Sequence, residues 1–182
     1  MSQRTVLIAG AVGLLSLGCR TEDTRVRGRG LEVATLPVAQ QVQIYTAALR
    51  ASFDFGPALT LLLDPVMLPG DGYGPGDTLS TVARNALVSS GTFAGICRPD
   101  RESDRARVRG SPVCRAPQAG YLVRVSEIFR TAGDTVQTFA FSERYNTPES
   151  RPVEQLRLEE AYQLVRRGGA WTVVRKARIS VD

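Results

Sequence analysis

A carboxylate beside an arginine and a phenol can hold an anion or move a proton, and the last third of this chain offers such a group. Glu160, Tyr162 and Arg175 fall in segments where apolar residues alternate with polar ones. Glu160 and Arg175 are the charged residues on the apolar side of that alternation. Glu127 intrudes in the same way among Tyr121, Val123, Val125 and Phe129. A glutamate in an apolar surrounding holds its proton more tightly and can act as a base. Paired with Arg175 it is instead the polar floor of a ligand pocket, or an ion pair at a sheet rim with buried stems and solvated heads. Other chemistry is narrow. The chain has no histidine, which removes Ser-His-Asp and Cys-His mechanisms, His-ligated metals and imidazole switches. The G-x-S-x-G, P-loop, G-x-G-x-x-G and H-E-x-x-H patterns are missing. Asp71 and Asp77 lie in a Gly/Pro-rich loop without the calcium-loop spacing. The expectation is therefore no catalytic set, no metal and no cofactor, with Glu127, Glu160, Tyr162 and Arg175 as candidate binding residues.

The elements that must position these residues are partly legible. Val38, Val42, Tyr45, Leu49 and Phe53 repeat with the helical period, which predicts a helix over 38–53 with Pro37 at its start. A second helix is expected over 78–89, capped by Asp77 or Thr78 and ended by Gly91. Between them, 59–68 reads as a buried strand that Pro65 pushes toward a sheet edge. Strand-like alternation then runs over 121–129, 135–145, 155–166 and 171–181, separated by turn signals. Four such strands in sequence predict an antiparallel meander. A two-residue Gly168-Gly169 turn pairs Arg167 with Ala170 and sets the register of the last hairpin. Leu164 then faces Val173, Tyr162 faces Arg175 and Glu160 faces Ala177. One face carries Leu156, Leu158, Tyr162 and Leu164 with Trp171, Val173, Ala177, Ile179 and Val181. Trp171 is expected on that face near the rim, its N–H on a polar partner and Arg166 over its ring. The turn around Gly133 leaves the facing of Phe139 and Phe141 open.

The chain has three cysteines, Cys19, Cys97 and Cys114. Met1 to Arg4 carries one positive charge, and residues 5–18 are uncharged and mostly apolar. Fourteen helical residues span about 21 Å, short of the roughly 30 Å hydrocarbon core, so the segment suits a secretory signal better than a membrane span. Its end, Leu15-Ser16-Leu17-Gly18-Cys19, resembles the lipobox of bacterial lipoprotein precursors. Ser16 stands where that family usually has leucine, and Gly18 fits the small residue before the cut. The resemblance implies cleavage after residue 18, lipid on Cys19, a membrane as partner, and an extracytoplasmic place in the bacterial envelope. In an exported protein an odd cysteine needs explaining. With lipid on Cys19, a Cys97–Cys114 disulfide leaves nothing over.

The resulting organisation is a signal peptide over 1–18, a lipid anchor and flexible tether over 19–36, and a single α+β domain over 37–182. Two helices are expected on one face of an antiparallel sheet with a C-terminal four-stranded meander. That order resembles the nuclear transport factor 2-like and cystatin-like folds in architecture alone, which carries no function with it. The 23 basic and 18 acidic residues give a formal charge of +5. The arginine-rich stretches 20–29 and 98–115 are interspersed with acids, and no nucleic-acid motif is present, so nucleic acid is not expected as a partner. The functional expectation is an envelope lipoprotein that binds a protein or small ligand without catalysis. The alternative is a small enzyme with Glu160, Glu127 or Tyr162 in a sheet-and-helix pocket.

Overall fold

The computed structural model describes residues 30–53, 59–69, 76–98, 112–118, 120–148 and 156–181. The segment 1–18 expected to be a signal peptide, Cys19, Asp71 and most of the loop between Cys97 and Cys114 lie outside them. The class is α+β: two helices and an eight-stranded mixed sheet. In chain order the elements are β1 (Glu32–Val33), α1 (Val38–Arg50), β2 (Leu61–Leu63), α2 (Thr81–Ser89), β3 (Gly95–Ile96), β4 (Gly120–Val125), β5 (Phe129–Ala132), β6 (Thr135–Tyr145), β7 (Arg157–Arg167) and β8 (Ala170–Val181).

The helices form where their periodicity places them, with ends set by capping. Pro37 sits extended just before α1, where its missing N–H costs nothing. The side chain of Ser80 accepts from the Ala83 N–H and starts α2 later than Asp77 or Thr78 would. Gly91, at φ 75°, follows the end of α2. Ile44, Tyr45, Ala48 and Leu49 of α1 and Ala83 and Leu87 of α2 share one core with Leu61, Leu63, Val123, Val125, Val136, Ala140, Tyr162 and Leu164. Both helices thus cover the same sheet face.

The sheet is not purely antiparallel, which corrects the expectation. β2 runs parallel to β3 and to β4. The reason is connectivity: β2, α2 and β3 form a β-α-β unit, in which the helix carries the chain back to start a parallel neighbour. β2 is therefore a central strand between β3 and β4, not an edge strand. Its ladder stops at Leu63, before Pro65, so the proline never has to fit within it.

The C-terminal hairpins are antiparallel. β6 pairs β4 and β5 along one side and β7 along the other. The strand expected over 121–129 is split because Ser126 interrupts the backbone ladder with its side chain. Its Oγ takes the Phe139 N–H at 2.9 Å and donates to the Glu127 carbonyl at 2.6 Å. A two-residue turn at Gly133-Asp134 with a bulge at Thr131 fixes the register left open by the sequence. Phe139 and Phe141 then pack with Leu68, Phe129 and Ile179, away from the helices.

The packed domain also includes residues before 37. β1 pairs with β5, and Ala34 joins the main core, so the end of the segment read as tether belongs to the domain. Cys97 and Cys114 are joined as a disulfide with Cα atoms 5.9 Å apart. The cystine packs with Leu62, Leu122 and Tyr145 on the sheet face opposite the helices.

Candidate functional site

The last hairpin decides where the candidate residues go. Gly168 and Gly169 have φ of 56° and 84°, the left-handed pair that a tight hairpin turn needs. From there the expected register holds: Arg167 faces Ala170, Arg166 faces Trp171 and Leu164 faces Val173. It then slips at Val174, where β8 carries one extra residue, and slips again near Ile179. A bulge moves every following side chain to the other face. Tyr162 consequently faces Lys176, Glu160 faces Arg178, and Arg175 faces Gln163.

Arg175 is therefore no partner of Glu160. It is exposed and belongs to the face away from the helices. Ala177 and Ile179, expected in the core face, go the same way, and Ile179 packs beside Phe129 and Phe139. Lys176 takes the place expected for Arg175. Its Nζ lies 3.6 Å from Glu160 Oε1 and donates to the Ala51 carbonyl at 2.9 Å, with Ser52 Oγ at 3.4 Å.

Around that ammonium a polar cluster closes the C-terminal end of α1 onto β7. Glu160 and Tyr162 are buried, at 3% and 1% exposure. The Tyr162 hydroxyl donates to Glu160 Oε2 at 2.8 Å. Ser52 Oγ donates to the same Oε2 and lies 2.8 Å from the Tyr162 oxygen. Two hydroxyl protons and an ammonium thus converge on one carboxylate. The ammonium also meets the carbonyl end of α1, where positive charge is favoured by the helix dipole. Desolvation pushes the Tyr162 phenol far above its ordinary range; Ser52 pulls against this and Glu160 adds to it. Its hydroxyl serves here as a hydrogen-bond donor to Glu160.

Ser52 and Lys176 are the members that sequence reasoning missed. Ser52 sits beside the apolar stripe of α1, three residues past Leu49. Lys176, the single lysine of the chain, falls on the solvent side of a strict two-residue alternation. Only the bulge brings it inward.

Glu127 does not join this cluster. It is half-buried in the link between β4 and β5. Its carboxylate lies near Tyr45, whose phenol is raised first by burial and then by that charge. Tyr45 donates to the Ser126 carbonyl at 2.9 Å. Tyr45 lies in the middle of α1 and Ser52 just past its end, seven residues on and about 10 Å further along the helix direction. The candidates thus divide into two separate places under one helix.

The indole of Trp171 packs against the main core, as expected. Its N–H does not find the expected partner: Nε1 is buried without a hydrogen bond. A second polar pair also escaped the sequence. Asp64 is fully buried, 3.3 Å from Arg124 Nε, and accepts the Val66 N–H at 3.0 Å. Arg124 lies over the Phe141 ring at 5.6 Å. Among the described residues no cluster of three or more metal-ligating side chains occurs, and no helix is long and apolar enough to cross a membrane.

No family model, curated protein or solved structure matches the chain. Its function has to be argued from this geometry.

The tyrosines give a direct test of the site's packing. Burial raises Tyr45, Tyr162 and Tyr145 above the ordinary value. A raised phenol pKa means that the folded state keeps its proton where the unfolded state has lost it. The stability this represents is complete below about pH 10 and is lost as pH rises beyond it. Absorbance at 295 nm should show Tyr45 and Tyr162 ionising only together with alkaline unfolding, and Tyr162→Phe should remove one phenol from that late step. Reversible titration of all five tyrosines near pH 10 in the folded protein would contradict the packing described.

Proposed function

We propose that the chain is an extracytoplasmic lipoprotein, anchored through Cys19, whose α+β domain binds a partner protein or small ligand without catalysis. The observation that carries the non-catalytic reading is the condition of Glu160. Its carboxylate accepts from Ser52 and Tyr162 and faces Lys176. Ser52 and Tyr162 both donate to Oε2 and Lys176 lies against Oε1, so each oxygen is turned to a group of the fold itself. The acid–base alternative needs that carboxylate free, whereas a clasp that locks α1 onto the sheet needs it held.

The address is supported by the Cys97–Cys114 disulfide, since such bridges persist in oxidising compartments. It is also supported by the sequence ending at Cys19. Cys19→Ser should abolish incorporation of labelled palmitate in a bacterial host. Continued labelling of the variant rejects the anchor. Pull-down from native membranes in mild detergent tests the binding reading: co-purification of a defined partner is expected. Isolation of the acylated protein alone, with no small ligand in native mass spectrometry, counts against it.

A further inference from the structure

The β7–β8 hairpin carries a charge imbalance that the fold does not use. Arg166, Arg167, Arg175 and Arg178 are all exposed. Among the described residues, no ion pair or side-chain hydrogen bond engages any of the four guanidinium groups. The hairpin's two acids, Glu159 and Glu160, are buried. Among the described residues its solvent surface is therefore positive, with like charges next to each other in sequence at Arg166-Arg167. Such repulsion is relieved by an external anion, and a one-signed surface attracts one.

Three features of the hairpin bear on which anion. Among the described residues β8 pairs with β7 alone, and no further strand lies along its outer edge. Its two bulges break that edge into short regular runs, a common device against strand addition. Recognition then falls to the side chains, not the backbone. The cations do not converge on one point. Arg166 and Arg178 belong to the helix side of the sheet and Arg175 to the other, and roughly 20 Å of strand separates Arg178 from Trp171, which faces Arg166. A spread array straddling an edge fits a plane of phosphates better than a single carboxylate.

The entry of the chain into the domain agrees. β1 runs antiparallel to β5, with Glu32 opposite Arg130, so the chain before Glu32 points toward the Gly133-Asp134 turn. The Arg166 N–H donates to the Asp134 carbonyl at 3.2 Å, which ties that turn to the tip of the β7–β8 hairpin. The described chain therefore enters the domain, at Gly30, on the Arg166-Arg167 side. Exposed Glu32 and Asp134 lie there too, and among the described residues neither forms an ion pair with Arg166 or Arg167. The eleven Cα–Cα steps from Cys19 to Gly30 reach at most about 40 Å. A lipid on Cys19 thus holds the arginine edge within reach of the bilayer.

We infer that the β7–β8 hairpin is a docking surface for anionic phospholipid headgroups, contacted by Arg166, Arg167, Arg175 and Arg178. The orientation, though not the charge argument, rests on the lipid anchor at Cys19. The test uses the mature chain, residues 19–182, with Cys19→Ser so that it carries no lipid. It should float with phosphatidylglycerol-containing vesicles, not with pure phosphatidylcholine vesicles, and salt should release it. Arg166→Ala with Arg167→Ala should weaken binding by about thirty-fold, and the two lysine replacements should retain it. Arg175→Ala with Arg178→Ala reads the same contact away from the turn and should weaken binding comparably. Unchanged melting temperatures certify the folds.

Equal binding to both vesicle types overturns the inference. So does phosphatidylglycerol binding that survives all four alanine replacements, which moves the contact to the tether. Binding of an acidic peptide without vesicle binding overturns it in favour of a protein partner. If wild-type Cys19 takes no palmitate, the anchor fails while a positive vesicle result stands, so the two failures are distinguishable.

Discussion

Lys176→Met should lower the stability of the domain by about 2–3 kcal/mol, read as a melting temperature some 5–10 °C below wild type. The substitution keeps the aliphatic stem and removes only the ammonium. Glu160, with a side chain 4% exposed, is then left in the interior with two hydroxyl donors and no countercharge. The Ala51 carbonyl at the end of α1 loses its donor as well. Breaking a fully buried pair from one side costs roughly 3–5 kcal/mol. The lower figure applies here because the Lys176 side chain is 38% exposed and already partly solvated. The decisive companion is Lys176→Met combined with Glu160→Leu. With no charge left to bury, most of the lost stability should return, and the departure from additivity measures the pair. A Lys176→Met protein that melts with wild type would show that water, not Glu160, holds the ammonium.

Loss of the Cys97–Cys114 bridge should cost about 3 kcal/mol, chiefly by freeing the unfolded chain. The two cysteines are 17 residues apart in sequence. The Cys97 N–H bonds the Leu63 carbonyl at 2.9 Å and the Cys114 N–H bonds the Asn146 carbonyl at 2.8 Å. The bridge thus ties the β3 side of the sheet to the far end of β6. Its sulfurs also fill the cluster of Leu62, Leu122 and Tyr145, so the double alanine variant loses packing beyond the reduced protein. Urea unfolding of oxidised and reduced protein should give separate midpoints with the oxidised one higher. Coincident curves, or two free thiols in protein taken from the cell envelope, would refute the stabilising role.

Both predictions depend on residues that the sequence treated very differently. The disulfide was expected because the lipobox resemblance sets Cys19 aside, which leaves Cys97 and Cys114 to pair with each other. The ion pair did not follow, because its register depends on one inserted residue. Up to Val174 the Gly168-Gly169 turn and the apolar alternation specify the hairpin correctly, through Leu164 opposite Val173. Past Val174 the alternation points to Arg175, and the bulge substitutes Lys176. Two consecutive valines satisfy the core pattern in either register, so nothing in the local sequence marks the slip.

The sequence by itself determined the features that arise from neighbouring residues. Helical periodicity placed α1 and α2 to within a few residues of Val38–Arg50 and Thr81–Ser89, and glycine conformations placed the last turn. Those signals are local: a cap, a stripe or a turn acts over a few positions of the chain. The tertiary structure alone decided the rest. β2 became central and parallel because α2 returns the chain beside it. The strand expected over 121–129 broke at Ser126 because that hydroxyl bonds Phe139 across the sheet. Glu127 came to lie near Tyr45 in the middle of α1, while Glu160 met Ser52, just past the helix end, across 108 positions of sequence. Contacts of that separation depend on strand order and bulges, which set how distant segments align and leave no period in the sequence to read.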